Sequence, residues 1–389
     1  MVWDVHKPFI KSERQQKLFN KVEKLSEKTR NRSEETDRHA SFSLENLRDL
    51  KEADYHSLTL PEQFGGKNLS LYEFVLLQER LAVGDGSVAL SIGWHLGIVM
   101  ELRDENRWTP DAFKWIANEI CTNKKVLNRA ATEPATGSPT RGGIPETRAV
   151  LSGNGYLISG RKSFTTMADV LDYYIVSAFI EDKEKVGWFI VERGQTGVNI
   201  EHTWDTLGMR GTGSDDLVLT NVKVIKDRLI EINSEKENKS FPKGWLLHIP
   251  ACYLGIAIAA RNEAVQFAKH YQPNSLNTPI SSVPHIQQKI GEMDLELLKA
   301  RHFMYSVAEK WDQQPDQRGN LGPELAAVKT IATNSANHVV DLAMRIAGGR
   351  GLSKKSNFER YYRDVRAGLH NPPMDDSVIQ MLAGRAIED

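Results

Sequence analysis

The chain has little cysteine: two residues in 389, Cys121 and Cys252. They lie far apart with no metal-binding spacing, so neither a disulfide framework nor a metal site is expected. An excess of either charge is also missing. Fifty Lys and Arg stand against 51 Asp and Glu, a formal charge of −1. Nucleic-acid binding through bulk charge would need a basic excess or stripe. The N-terminus, MVWDVHKPFIKSERQQ, has no apolar core of a secretory signal. The longest apolar stretches, near Ile92–Leu102 and His248–Ala260, read as too short or too broken by polar residues to span a bilayer. Low-complexity tracts and internal repeats are absent. These absences lead us to expect a cytoplasmic protein with no membrane span and no nucleic-acid partner, long enough for two or three domains.

What is present changes in period along the chain. Residues 1–125 read as a helical N-terminal domain. Phe9–Arg32 carries a face of Leu18, Val22 and Leu25. Leu44–Ala53 is a shorter helix, and Ser70–Leu81 has apolar residues at Leu71, Phe74, Val75, Leu77 and Leu81. Gly84-Asp85-Gly86-Ser87 breaks the pattern and offers Asp85 or Ser87 as the N-cap of a nearly all-apolar helix, Val88–Leu102. His95 lies inside that helix, either as a satisfied core histidine or as a group lining an active-site cavity. Residues 126–235 alternate instead. Arg148–Ser163 forms two β runs about Gly153-Asn154-Gly155, and Tyr173–Ile180, Gly187–Glu192, Val198–Trp204 and Asp216–Val224 follow. Close-spaced short strands with glycine turns predict a small central β-barrel. Residues 236–389 return to helical period over 246–270, 284–313, 323–346 and 373–387, a C-terminal four-helix bundle. The polar segment Asn233–Phe241 is the expected linker. The fold class is therefore α+β, in the order helical, β, helical.

Four segments carry candidate chemistry. Ala131-Thr132-Glu133-Pro134-Ala135-Thr136-Gly137-Ser138 gathers hydroxyls and backbone donors at a glycine turn, which suits a polar heterocycle or a phosphate. Arg161-Lys162-Ser163-Phe164-Thr165-Thr166 ends a strand with an aromatic beside two hydroxyls, able to cover a flat ring and bond its edge. Leu207-Gly208-Met209-Arg210-Gly211-Thr212-Gly213-Ser214 is a glycine-rich turn. Finally, Ala343–Asp376 runs from a helix into Gly348 and Gly349, then into Glu359-Arg360-Tyr361-Tyr362-Arg363-Asp364 and a double proline. Paired glycines there either stop a helix or let a phosphate approach.

In this order and spacing, TEPATGS, GRKSFTT, LGMRGTGS and AGGRGL…ERYYRDVRAG resemble the acyl-CoA dehydrogenase flavoprotein superfamily, over about residues 70–387. The resemblance implies that family's helical–β–helical fold, an FAD cofactor and an acyl-CoA substrate. Thr132 and Ser138 match residues that contact the flavin ring, and Ser138 also the substrate. Phe164 stands where the family usually has tryptophan, and Thr166 matches the hydroxyl facing N5. Gln287, Arg345, Gly348 and Gly349 match positions holding the adenine and pyrophosphate half of FAD. That half comes from a neighbouring subunit in the family, so a homo-oligomer, dimer or tetramer, is implied. Arg345 replaces the usual glutamine. An electron-accepting flavoprotein or oxygen would take the electrons.

The family's catalytic glutamate has no counterpart. The loop Leu369-His370-Asn371-Pro372-Pro373-Met374-Asp375-Asp376-Ser377 puts Met374 at its position, and a second family location falls on Trp245. Asp375, Asp376 and His370 are the candidate bases, the aspartates doubling as helix N-caps. Three readings follow: α,β-dehydrogenation of an acyl-CoA with a non-standard base, a flavin-dependent monooxygenase or oxidase on the same fold, or a catalytically silent binding protein.

Overall fold

The computed structural model describes residues 5–136, 143–233 and 242–388. The N-terminal region opens with α1 (Glu13–His39), capped by Ser12 and longer than its pattern predicts, and α2 (Leu44–Glu52). In α3 (Leu71–Ala82), Ser70 Oγ accepts from Glu73 N–H and the Glu73 carboxylate accepts from Ser70 N–H, which satisfies two orphan donors at once. For α4 (Gly86–Glu105), Asp85 is the cap, accepting from Ser87 and Val88 N–H. Asp85→Ala is expected to cost about 1 kcal/mol in urea denaturation, and Asp85→Ser to recover most of it. A further helix, α5 (Pro110–Asn123), starts at Thr109-Pro110, with proline where its missing N–H costs nothing.

Eight strands form one sheet: β1 (Leu127–Ala130), β2 (Arg148–Ser152), β3 (Gly155–Lys162), β4 (Tyr173–Ile180), β5 (Lys185–Glu192), β6 (Val198–Glu201), β7 (Asp216–Ile225) and β8 (Leu229–Ile232). The order is β6-β7-β3-β2-β4-β5-β8. The first half of β4 also pairs with β1, and both its β1 and β2 neighbours run parallel to it. β4 is buried at seven of its eight positions, which explains its unbroken apolar run.

Five helices complete the chain: α6 (His248–His270), α7 (Pro284–Gln313), α8 (Gly322–Ala347), α9 (Asn357–Arg366) and α10 (Asp375–Glu388). α9 is the charged run, which forms a short helix beside the expected four. One expectation needs correction. The span Gly244–His270, including α6, is long and apolar enough to cross a bilayer by length and composition, yet 94% of its most apolar window is buried inside the fold. It is the core helix, packed by α3, α4 and α8. Its small residues permit this: a Cβ on Gly255 would meet Ala82 Cβ at 2.5 Å.

A buried ion pair ties the first region to the last. Arg301 of α7 bonds both Glu79 carboxylate oxygens, at 2.8 and 2.7 Å, and Tyr305 donates to the same carboxylate. Burial alone would raise the Glu79 pKa, but Arg301 and His6 overcome it and hold it at about 2.

Candidate active site

The site begins where β3 ends. Ser163 N–H donates to Thr132 O at 2.9 Å, which draws the Thr132 segment against the strand end. The next residue, Phe164, has φ +55° and is 64% exposed, with its ring edge-on to Trp204 at 5.8 Å. A bulky aromatic in the left-handed region is strained and recurs at functional sites. Beyond it, the hydroxyls form a directed chain. Thr212 Oγ1 donates to Met209 O at 2.8 Å, so its bond to Ser214 (2.8 Å) must be donated by Ser214. Ser214 has then spent its proton, so Thr166 is the donor in the 3.0 Å Thr166–Ser214 contact. Each hydroxyl has one proton, so Thr166 is left with an acceptor lone pair to present. Thr165 Oγ1 is buried with no partner.

A buried strut supports this corner. Lys162 Nζ reaches Glu133 Oε1 at 2.5 Å and Ser177 Oγ at 3.0 Å, with the lysine side chain fully buried and the glutamate 1% exposed. Glu133 also accepts from the Glu146 and Thr147 N–H groups and from the Thr147 hydroxyl. Burial would raise its pKa, but Lys162 and Thr147 hold it low. These partners missed by sequence reasoning had one signal: a charged side chain at an inward position of a half-buried strand.

The 207–214 loop carries the site across to α9. Met209 N–H donates to Asp364 Oδ1 at 2.6 Å, and Arg363 donates to Leu207 O at 3.1 Å. A Cβ on Gly208 would stand 2.2 Å from Arg363 O, so only glycine fits that approach. Arg363 also grips Asp37 of α1 with two bonds, at 2.9 and 2.7 Å. It lines one side of a cleft of about 510 Å³ whose other walls include Asp341, Arg345, Gly348, Leu352 and Tyr362. Gly348 has φ +60° and ψ −146°, a conformation open essentially to glycine. Above Gly348 and Gly349 a Cβ would meet nothing within 4 Å.

The expected site residues thus fall into two groups joined by one loop: Thr132, Phe164 and Thr166 at the sheet, and Arg345 and Gly348 at the end of α8. Arg345 is exposed and paired with Asp341 at 2.6 Å. Gln287, at the start of α7, is exposed, donates to Ser281 O and is not among the residues lining the cleft. Ser138 lies outside the described residues. His95 is corrected from cavity group to core histidine. It is fully buried, Nε2 bonds His56 O at 2.8 Å, and Nδ1 accepts from Leu127 N–H at 3.1 Å. Both nitrogens serve the backbone and none is left for a substrate.

Among the base candidates, Asp375 is engaged on α8: Asn334 donates to it at 2.7 Å and the buried Lys329 ammonium lies at 3.4 Å. Asp376 is exposed and accepts from Ser377 N–H. His370 is exposed at the end of the turn Ala367–His370. That turn rests on α6, where Tyr253 OH donates to Asn371 Oδ1 at 2.6 Å. Trp245 is buried and carries no base.

The donor set suits a flavin. An exposed aromatic can cover a flat ring, Thr166 can meet its edge, and open space over a glycine turn beside Arg345 suits a pyrophosphate. A flavin there supplies two-electron acceptance.

The comparisons agree with this geometry. Three family models match: acyl-CoA dehydrogenase N-terminal domain over residues 12–105, middle domain over 128–222 and C-terminal domain over 247–369. The acyl-CoA dehydrogenase-family protein YdbM of Bacillus subtilis (strain 168) is 50% identical over 380 residues, 98% of this chain and 99% of that one. A dibenzothiophene monooxygenase of Rhodococcus erythropolis (strain XP) is 26% identical over 383 residues, covering 90% and 88%. The solved butyryl-CoA dehydrogenase of Megasphaera elsdenii superposes with TM-score 0.85 at 22% identity, over 97% of this chain and 99% of that one, and shows the shared fold. The chain belongs to the acyl-CoA dehydrogenase family. It is an acyl-CoA dehydrogenase-like flavoenzyme, with a flavin cofactor that in this family is typically FAD.

Proposed function

We propose that the protein oxidises an acyl-CoA thioester to its α,β-unsaturated product, with FAD as acceptor of the β-hydride and a side chain of this chain as acceptor of the α-proton. The observation that carries this reading is the directed chain from Met209 O through Thr212 and Ser214 to Thr166, beside the strained Phe164. With its proton committed to Ser214, Thr166 would offer a bound flavin an acceptor at the ring edge, and would favour its reduced form over its oxidised form there. Asp375 and His370 stay the candidate bases. Asp375 would have to leave Lys329 to act, whereas His370 is unengaged among the described residues. Arg345, Gly348, Gly349 and Gln287 are proposed to hold the adenine and pyrophosphate half of FAD across a homo-oligomer, with an electron-accepting flavoprotein as redox partner and a cytoplasmic location.

The test is anaerobic titration of the yellow protein with acyl-CoAs of graded length. Loss of the oxidised-flavin absorbance band is expected with at least one of them; no bleaching by any would remove dehydrogenation. The loop 369–377 has no glutamate, and this favours the second reading, a flavin-dependent monooxygenase or oxidase with His370 as the assisting group. Incorporation of label from ¹⁸O₂ into a co-substrate would select that reading.

A further inference from the structure

Strand register brings a histidine and an aspartate together at the end of β6. Glu201 of β6 pairs with Asp216 of β7, so the next residues out, His202 and Asp215, face one another. His202 Nδ1 stands 3.5 Å from Asp215 Oδ2. A third group arrives from the turn after Thr166. The Met167 and Ala168 N–H groups donate to Thr212 O and Gly213 O, which lays this turn along the segment leading to Asp215. Asp169 Oδ2 then lies 3.6 Å from the same His202 Nδ1. One donor atom from each of the three residues lies within 4.8 Å of the others.

Spacing, charge and burial all point to a cation there. The 3.5 and 3.6 Å contacts are long for hydrogen bonds. Tetrahedral ligands about 2.1 Å from a zinc ion stand about 3.4 Å apart, which is close to both. Arg161 pairs with Glu201 and Asp216, whereas among the described residues neither Asp169 nor Asp215 pairs with a lysine or arginine. The Asp215 side chain is only 6% exposed. Its Oδ1 is fixed by the Thr203 and Trp204 N–H groups, at 2.8 and 2.9 Å, which sets the carboxylate's orientation. Among the described residues no hydrogen bond reaches its Oδ2, which is aimed at the other two groups. A buried carboxylate oxygen in that state calls for a positive partner. His202 and Asp169 are exposed, which leaves an ion a way in and room for a water ligand. An imidazole with two carboxylates suits a zinc-class ion, while calcium and magnesium take all-oxygen sets.

We propose that Asp169, His202 and Asp215 bind one zinc-class divalent ion, and that this ion pins the corner of the flavin site. It joins the turn that follows Thr166 to the Trp204 segment and to the end of the 207–214 loop. Thr165 N–H donates to Asp215 O at 3.1 Å, and Trp204 meets Phe164 edge-on, so an ion held here restrains the groups on both sides of Phe164.

Tag-free, flavin-loaded protein, stripped with EDTA and moved into metal-free buffer, is titrated with zinc chloride by calorimetry. One zinc per chain is expected. His202→Ala and Asp169→Asn, both at exposed positions, should each weaken binding at least about tenfold, the low end for losing a group that merely supports a ligand. Zinc should slow flavin release on dilution in wild type and leave it unchanged in His202→Ala. No zinc uptake, or uptake that both variants keep, overturns the site and leaves His202 as a bridge between two carboxylates. Uptake in wild type with flavin release unmoved overturns the pinning of the corner. Neither measurement uses an acyl-CoA, so both outcomes are independent of the substrate reading.

Discussion

Lys162→Met is expected to destabilise the protein by about 3–5 kcal/mol and to strip it of flavin on gel filtration. The reason is the partner left behind. Glu133 is 1% exposed, and its carboxylate would lose the ammonium at 2.5 Å that offsets its burial. The N–H groups of Glu146 and Thr147 and the Thr147 hydroxyl would remain, but none carries a full charge. Lys162 itself titrates low because burial disfavours its ammonium, an effect that Glu133 opposes. The pair is therefore costly to bury and costlier to break. Because Glu133 directly follows Thr132, and Ser163 N–H bonds Thr132 O, slack in the strut passes to the Thr132 and Phe164 segments. The double variant Lys162→Met/Glu133→Gln removes both charges and should regain more than half of the loss. Urea denaturation of both variants decides the matter. A single variant within 1 kcal/mol of wild type, with flavin retained, would mean that the strut does not support the site.

Local signals in the sequence placed most of the elements. Asp85 before a run of small apolar residues names its own helix start, and Tyr173–Ile180 reads directly as the strand it becomes. β1 and β8 are four residues each, too short to show a period, and they become strands because β4 and β5 supply partners. The charged run of α9 hides an amphipathic helix whose buried face includes polar side chains, Arg360 and Asp364 among them. The site divided the same way. Glycines and hydroxyls mark turns within a few residues, so the four motifs were visible. The groups that hold the motifs together are distant in sequence: Met209 and Asp364 are 155 positions apart, and Glu79 and Arg301 are 222. His95 shows the limit most clearly, since its two bonds go to the backbone of His56 and Leu127, which no pattern on its own helix reports. The base stayed open for a related reason. A carboxylate in the right loop says nothing of whether Lys329 of another helix has claimed it.

The stability that Asp364 contributes is expected to fall as pH rises from about 4 to about 7, opposite to the trend from His56, His95 and His248, which burial keeps neutral. Burial pushes the Asp364 pKa up to about 7, against the pull of the Met209 N–H and Arg360, while Asp37 and Asp85 add to the rise. Unfolded, it titrates near 3.8. Below that value both states hold the proton and the contribution is complete. Between the two values the folded state keeps a proton that the unfolded state has released, so stability drops about 1.4 kcal/mol per pH unit. Above about 7 both states are ionised and the loss is finished, on the order of 4 kcal/mol in all. Glu79 acts in a different window, since a carboxylate held at about 2 loses its contribution only as pH falls below the ordinary range. Asp364→Asn isolates the effect, because the amide oxygen can still accept from Met209 N–H but does not titrate. The variant should match wild type near pH 4 and exceed it by a few kcal/mol at pH 8, read as the difference between two urea-denaturation series. Parallel curves across that range would show that Asp364 does not hold its proton in the folded state.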